Sequence, residues 1–353
     1  VAAGGGHNLG LKPDGSIVAW GINYDGQINF PAPNEDFTAV AAGVGHNLGL
    51  KAEGSIVAWG ENDDGQTNVP APNEDFSAVA AGWDDSLGLK ADRSIVGWGY
   101  NEFGQTNVPA PNADFIALAA GGFHSLGLKA DGSIVAWGCA DSIYDYGQCN
   151  APSPNAGFMA TAAGGYHSLG LKADRSIVAW GANDDGQTNV PAPNEDFIAV
   201  AAGWEHSLGL KVDGSIVGWG HNNYGQIGVP APNADFIAVA AGVHHSLGLK
   251  VDGSIVAWGA NYSGQSNVPA PNADFIAVAA GANHNLAIRG VPGDYDGDGD
   301  FDLLDYLRLS ERLAGPAIRP EPPGWHVFNL DPDFDIDLGD FAEWQNLFDA
   351  PGP

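Results

Sequence analysis

One tryptophan recurs along this chain so regularly that it dictates how the rest must be read. Trp20, Trp59, Trp98, Trp137, Trp180, Trp219 and Trp258 follow one another at 39 residues, except for one step of 43. Each closes an Ile-Val-Ala/Gly-Trp-Gly run, and an Asn-x-x-Gly-Gln loop or its expanded form follows. A period of this length marks stacked units, each too small to bury its own apolar face. Seven independent domains are thereby excluded, and the core must lie between units.

Written from its second copy, the unit is Ala39-Val40-Ala41-Ala42-Gly43, His46-Asn47-Leu48-Gly49-Leu50-Lys51, a turn at Glu53-Gly54, then Ser55-Ile56-Val57-Ala58-Trp59-Gly60. A loop through Asn62 to Gln66 leads to Val69-Pro70-Ala71-Pro72 and Asn73-Glu74-Asp75-Phe76. Segments of four to six apolar or alternating residues bounded by Gly, Asn, Asp or Pro are strands and hairpins, with no room for a helix before residue 300. A first copy nearly identical to the interior ones argues against a capped solenoid and for a closed propeller. The expected fold is therefore an all-β, seven-bladed propeller over residues 1–289. Its closure has two possible phases, because eight Ala-Ala-Gly elements accompany seven tryptophan strands.

The motifs Ala-Ala-Gly-x-x-His-x-Leu-x-Leu, Asp-Gly-x-Ile-x-x-Trp-Gly and Asn-x-x-Gly-Gln, recurring in phase, resemble the RCC1-type repeat in its short bacterial form. The resemblance implies a seven-bladed propeller serving as a protein-binding scaffold.

Within the repeat, several columns invite a functional reading. The histidines at 7, 46, 124, 167, 206, 245 and 284 are spread around a ring instead of converging, so a hydrogen-bonded structural role is expected, with Asp85 standing in the third copy. The tryptophans are expected to pack blade on blade, their indole N–H groups needing partners. The glutamines are expected to hold tight turns. All seven lysines share one column, readable as a soluble rim or as a binding ring. Arg93 and Arg175 replace turn glycines and receive no role. Trp83 and Trp204, in the variable turn after Ala-Ala-Gly, are the candidate partner-binding anchors. Cys139 and Cys149 flank the expanded loop, at a spacing that permits a disulfide and would suit an oxidising compartment.

The composition changes at the linker Gly290-Val291-Pro292-Gly293, beyond which twelve aspartates and three glutamates face three arginines. From Asp294, acidic residues fall at loop positions 1, 3, 5, 7, 9 and 12 (Asp294, Asp296, Asp298, Asp300, Asp302, Asp305), with Gly299 at position 6, a spacing that wraps oxygens around Ca2+. A weaker copy runs through Asn329, Asp331, Asp333, Asp335, Asp337 and Asp340, with Phe334 in place of the turn glycine. Leucine-rich helical patterns follow the first loop and an apolar-faced one the second. This arrangement, residues 294–349, resembles a dockerin type I module of planctomycete style. The resemblance implies docking to a cohesin-like or cell-surface partner, with Leu303 and Leu304 at the contact positions.

A formal charge of -30 sets a low prior for nucleic-acid binding. No apolar run is long enough to span a membrane. The chain begins inside a repeat at Val1, so an upstream segment is expected to have been removed or left out. No nucleophile–base pair, phosphate loop or zinc spacing is present, and a non-enzymatic extracellular scaffold is expected. Two alternatives stay open: self-association into a matrix or filament, and a secreted polysaccharide-active enzyme using Asp84, Glu205 and Asp141.

Overall fold

The computed structural model describes residues 1–12, 14–139 and 144–289. The calcium loops (Asp294 to Asp305 and Asn329 to Asp340), Leu303, Leu304 and Asp141 lie outside them. Each repeat forms one antiparallel sheet, and the second is representative. Its inner strand is Phe37–Ala42, its middle strand His46–Lys51 and its outer strand Ile56–Gly60. Asn47 pairs with Trp59, Ala41 with Leu48, and a bulge between Phe37 and Ala39 shifts the register. The same register recurs through the array.

Successive inner strands lie against one another, and that of the last sheet returns to the first. The seam is closed by the Ala282 N–H donating to the Gly4 carbonyl at 3.2 Å and by His284 Nε2 at 3.2 Å from the His7 carbonyl. Alanines and glycines of all eight copies line the axial cavity between them. Among the described residues the ring therefore contains eight sheets, seven of three strands and one of two (Phe275–Ala280 and Asn285–Arg289). This revises the expected seven blades. The count is set by the Ala-Ala-Gly strands, whose small side chains let eight backbones approach one axis, and not by the tryptophan strands outside them.

The core lies between sheets. Leu169, Leu171 and Ile177 of one sheet cluster with Phe197 and Trp219 of the next, and equivalent clusters fill the other interior junctions. Leucine and isoleucine project from one face of a pleated sheet onto aromatic rings from the neighbour, so no sheet has a complete core alone. Trp20 is the exception, 43% exposed. The two-stranded eighth sheet presents it with no counterpart of the Gln loop on which the other six tryptophans are anchored.

Six of the seven lysines in the column, Lys51 through Lys250, are internal clamps. Lys90 lays its ammonium 4.0 Å from the Phe76 ring centre and donates to the Pro72 carbonyl at 3.0 Å, and Lys51 and Lys129 do the same with their own rings. The rings fit because the middle strand carries glycine beneath them: a Cβ on Gly88 would stand 2.5 Å from Phe76 Cε1. Arg93 and Arg175 occupy the left-handed turn position with φ of 67° and 65°, where glycine sits in other copies. Glycine there removes a Cβ–carbonyl clash at some cost in unfolded-chain entropy. Arg93→Gly should therefore stabilise the protein by about 0.5–1 kcal/mol, read as a higher thermal midpoint.

Candidate interaction face

Polar junctions stitch the sheets together, six of them by a histidine contact, and they account for three repeated columns at once. The Trp98 indole N–H donates to the Gln66 carbonyl at 2.9 Å, and the Ser86 hydroxyl donates to the same oxygen at 2.9 Å. With its only hydrogen committed, Ser86 must accept from His46, whose Nε2 lies 2.9 Å away. The tautomer is thus fixed as Nε2–H. His7 with Asn47, His124 with Ser168, His167 with Ser207, His206 with Ser246 and His245 with Asn285 repeat the contact around the ring. The Gln side chains turn back to hold their own loops, Gln66 Oε1 accepting the Asp64 N–H at 3.0 Å.

This belt leaves Nδ1 of His46, His124, His167 and His206 buried without a partner. Desolvation holds these imidazoles far below their ordinary value, at about 4 for His46 and His167 and about 3 for His124 and His206. They are neutral structural donors, and their unprotonated Nδ1 atoms are sealed from solvent.

Asp85 interrupts the belt. Its carboxyl is fully buried, Oδ2 has no partner, and burial followed by the Asp84 charge raises its pKa well above the usual carboxylate range. Gly82 leaves it the same recess that Gly43 leaves His46. Asp85→His should restore the contact to Ser125 and stabilise the protein at pH 7 by about 1–3 kcal/mol. Because the folded pKa is raised, the parent's deficit is absent below the unfolded carboxylate value and grows as pH rises toward the folded one. The gain in chemical-denaturation midpoint should accordingly shrink in acid.

The turns after Ala-Ala-Gly and the loops after the tryptophan strands emerge at one end of the ring, pinned side by side by backbone bonds such as Tyr100 N–H to Asp84 O and His221 N–H to Glu205 O, both 2.9 Å. Here the repeat is most variable. Trp83 and Trp204, from the third and sixth sheets, stack across the mouth of the axial cavity with centroids 4.4 Å apart and planes 10° apart. Trp204 is seated by two glycines, since a Cβ at Gly122 or Gly165 would stand 2.7 Å or 2.8 Å from its ring. Phe123 lies 5.2 Å from Trp83 and stacks on Tyr166 at 4.9 Å, and Phe103 and Tyr144 extend the cluster. The sequence pointed to the two tryptophans but not to Phe103, Phe123, Tyr144 and Tyr166. Only their departure from the repeat consensus could have flagged them.

Beside the aromatic cluster stands a wall of carboxylates: Asp25, Glu61, Asp63, Asp64, Asp84 and Glu102. Burial raises the Glu61 pKa, and then its neighbours Asp84, Asp25, Asp63 and Asp64 raise it further. Burial and Asp64 do the same to Asp84. Tyr100 donates to Glu102 at 2.7 Å, which pushes its phenol up to about 12. Asp84 and Glu205 thus belong to separate clusters. Glu205 joins His221 and His244, whose ligand atoms all lie within 4.8 Å of one another, a set that could coordinate a metal ion. The Gln226 amide, its oxygen held by the Tyr224 N–H, points its Nε2 at His221 Nδ1 at 2.7 Å. This favours an Nε2–H imidazole, whose proton a metal would have to displace.

Cys139 and Cys149 are joined by a disulfide, with Cα atoms 6.0 Å apart, across the expanded loop that carries Tyr144 and Tyr146 onto this face.

Ring closure and the repeated register together define an all-β propeller. The sequence matches the regulator of chromosome condensation (RCC1) repeat over residues 1–27, 37–66, 76–105, 115–148, 160–187, 197–226 and 236–265, more than half of the chain. The chain belongs to the RCC1-repeat family. Among solved structures it is similar to the CRINKLY WD40 ectodomain of the Arabidopsis thaliana receptor kinase ACR4, at 27% identity over 74% of this chain and 97% of that one, with a TM-score of 0.57. The ectodomain of the Physcomitrella patens receptor kinase CR4 matches at 24% over 69% and 68%, with a TM-score of 0.55. Prp20p of Saccharomyces cerevisiae matches at 20% over 82% and 94%, with a TM-score of 0.61, and these last two show the fold. No curated protein matches the sequence. Among the described residues, no helix is long and apolar enough to cross a membrane.

Proposed function

We propose that the protein is an extracellular, non-enzymatic scaffold that binds a protein partner through the aromatic face, and that a calcium-ordered C-terminal module docks it to a cohesin-like or cell-surface partner. The observation that carries the first half is the Trp83–Trp204 stack, in which Trp83 is exposed and the rings packed about it are half-buried, at the end of the ring where the repeat varies. Rigid aromatic side chains of this kind dominate the energetics of protein interfaces. The axial cavity supports the same reading, since alanine and glycine line most of it and supply no acid, base or nucleophile. The disulfide supports an oxidising compartment. The docking half, the Ca2+ sites and the domain boundary at 290–293 rest on the sequence pattern from Asp294 to Asp340.

Affinity capture from the native surroundings, with the parent and with Trp83→Ala/Trp204→Ala, tests the first half: a protein partner should be retained by the parent and lost by the double variant. Calcium titration watched by circular dichroism, together with capture in the presence of a chelator, tests the second. Helix formation and surface attachment that require Ca2+ are expected, and indifference to the chelator rejects the docking module.

A further inference from the structure

The cations of the described residues are confined to one end of the ring. Every lysine, and Arg93, Arg175 and Arg289, lies at the hairpin end, where six of the seven lysines and Arg289 fold over phenylalanine rings. The aromatic face contains no lysine or arginine in its turns and loops. Among the described residues its carboxylates therefore crowd one another without a lysine or arginine beside them.

Two chain connections hold the carboxylates against the rings. Trp83 and Asp84 are neighbours on one turn. Tyr100, Glu102 and Phe103 share one loop, with Tyr100 edge-on to Phe103 at 5.7 Å and hydrogen-bonded to Glu102. A planar cation lying on the rings thus has carboxylates beside it.

We propose that this junction of aromatic cluster and carboxylate wall is a binding site for an arginine-bearing segment of a partner protein. The proposal rests on the reading of this face as protein-binding and names the chemistry of what it binds. A guanidinium stacks on an aromatic face and still presents its N–H fork to carboxylates, two contacts that an ammonium cannot make together. Its charge also relieves the repulsion among Asp64, Asp84 and Glu61, which a neutral sugar leaves in place. With the cavity mouth covered by the tryptophan stack, the segment lies across the face and does not enter the channel.

The test uses the whole protein and fluorescently labelled octapeptides of alternating arginine and glycine, with lysine and glutamine counterparts, at about 0.15 M salt, where long-range attraction is largely screened. The arginine peptide should bind at least about fivefold more tightly than the lysine one, and the glutamine peptide should not bind. Trp204→Ala and the pair Glu61→Gln/Asp84→Asn should each weaken it about tenfold. Glu74→Gln/Glu195→Gln, at the hairpin end, should change it less than about twofold. Near-ultraviolet circular dichroism confirms that each variant is folded.

Equal binding of the arginine and lysine peptides, or equal weakening by substitutions at both ends, would reduce the effect to the overall charge of -30 and overturn the proposal. Binding of cellohexaose at this face in place of the arginine peptide overturns it too. A captured protein partner that is lost with Trp204→Ala yet indifferent to Glu61→Gln/Asp84→Asn rejects the arginine site and leaves the protein-binding reading standing. A partner indifferent to Trp83→Ala/Trp204→Ala removes both.

Discussion

Acidification from pH 7 to pH 4 should unfold the propeller in one cooperative step, with the midpoint between those values. The cause is the histidine belt. His46, His124, His167 and His206 titrate at about 4, 3, 4 and 3 in the folded ring, against an ordinary value of 6.5. A depressed imidazole contributes its full stability above the unfolded value and loses it as pH falls below 6.5 toward the folded value. At pH 5 the deficit is about 2 kcal/mol for each such histidine, so four of them together approach the whole stability of an ordinary domain. The proton has nowhere good to go, because Nε2 already carries hydrogen to the neighbouring sheet and Nδ1 faces no acceptor. Near-ultraviolet circular dichroism of the buried tryptophans reads the transition. His124→Gln and His206→Gln, which keep a donor but do not titrate, should move the midpoint to lower pH. A ring still folded at pH 3, or a midpoint unmoved in those variants, would show that the belt does not control acid stability.

Trp219→Ala should cost about 3–5 kcal/mol, the largest effect expected of a single truncation in the array. The ring is 4% exposed and fills the space between Leu169, Leu171 and Ile177 of one sheet and Phe197 of its own. Its indole N–H holds the Gln187 carbonyl at 2.9 Å, an oxygen shared with the Ser207 hydroxyl that fixes the belt. Trp219→Phe keeps most of the ring and loses the hydrogen bond, so about 1–2 kcal/mol is expected. Trp20→Ala, in the same sequence motif but at the seam, should cost less than about 1 kcal/mol, because its ring is already 43% exposed. Denaturant midpoints of the three variants provide the comparison. Equal losses for Trp219→Ala and Trp20→Ala would mean that the junctions between sheets are not where the stability resides.

Much of this was legible in the repeat. Strand lengths, the turn glycines, the structural character of the histidines and the need of each indole for a partner all follow from period and residue type. The lysines did not read so clearly. The same column serves equally well as rim or binding ring on paper, and only the placement of Phe37 and its equivalents beneath the ammonium groups shows six of them to be clamps. The blade number is open on paper for a similar reason, since eight Ala-Ala-Gly elements accompany seven tryptophan strands. Tryptophan strands are the most conspicuous part of the unit, but the small Ala-Ala-Gly strands set how many sheets surround the axis. Asp85 was visible as an exception in a histidine column; that it is a buried carboxyl with an unpartnered oxygen was not.

What the sequence determined by itself is everything set by local chemistry and repetition: strand, turn, strand, and a core that has to be shared between units. The face was decided by the tertiary structure. Trp83 and Trp204 are 121 residues apart, and no local rule places them together. Ring closure through eight sheets brings the third and sixth turns across one axis, where two indoles can cover the cavity mouth at 4.4 Å and two glycines make room for one of them. The separation of charge arose in the same way. Lysines and carboxylates alternate within every repeat, yet an antiparallel sheet sends the end of its middle strand to one pole and the variable turns to the other. Stacking eight such sheets turns that alternation into one pole without cations.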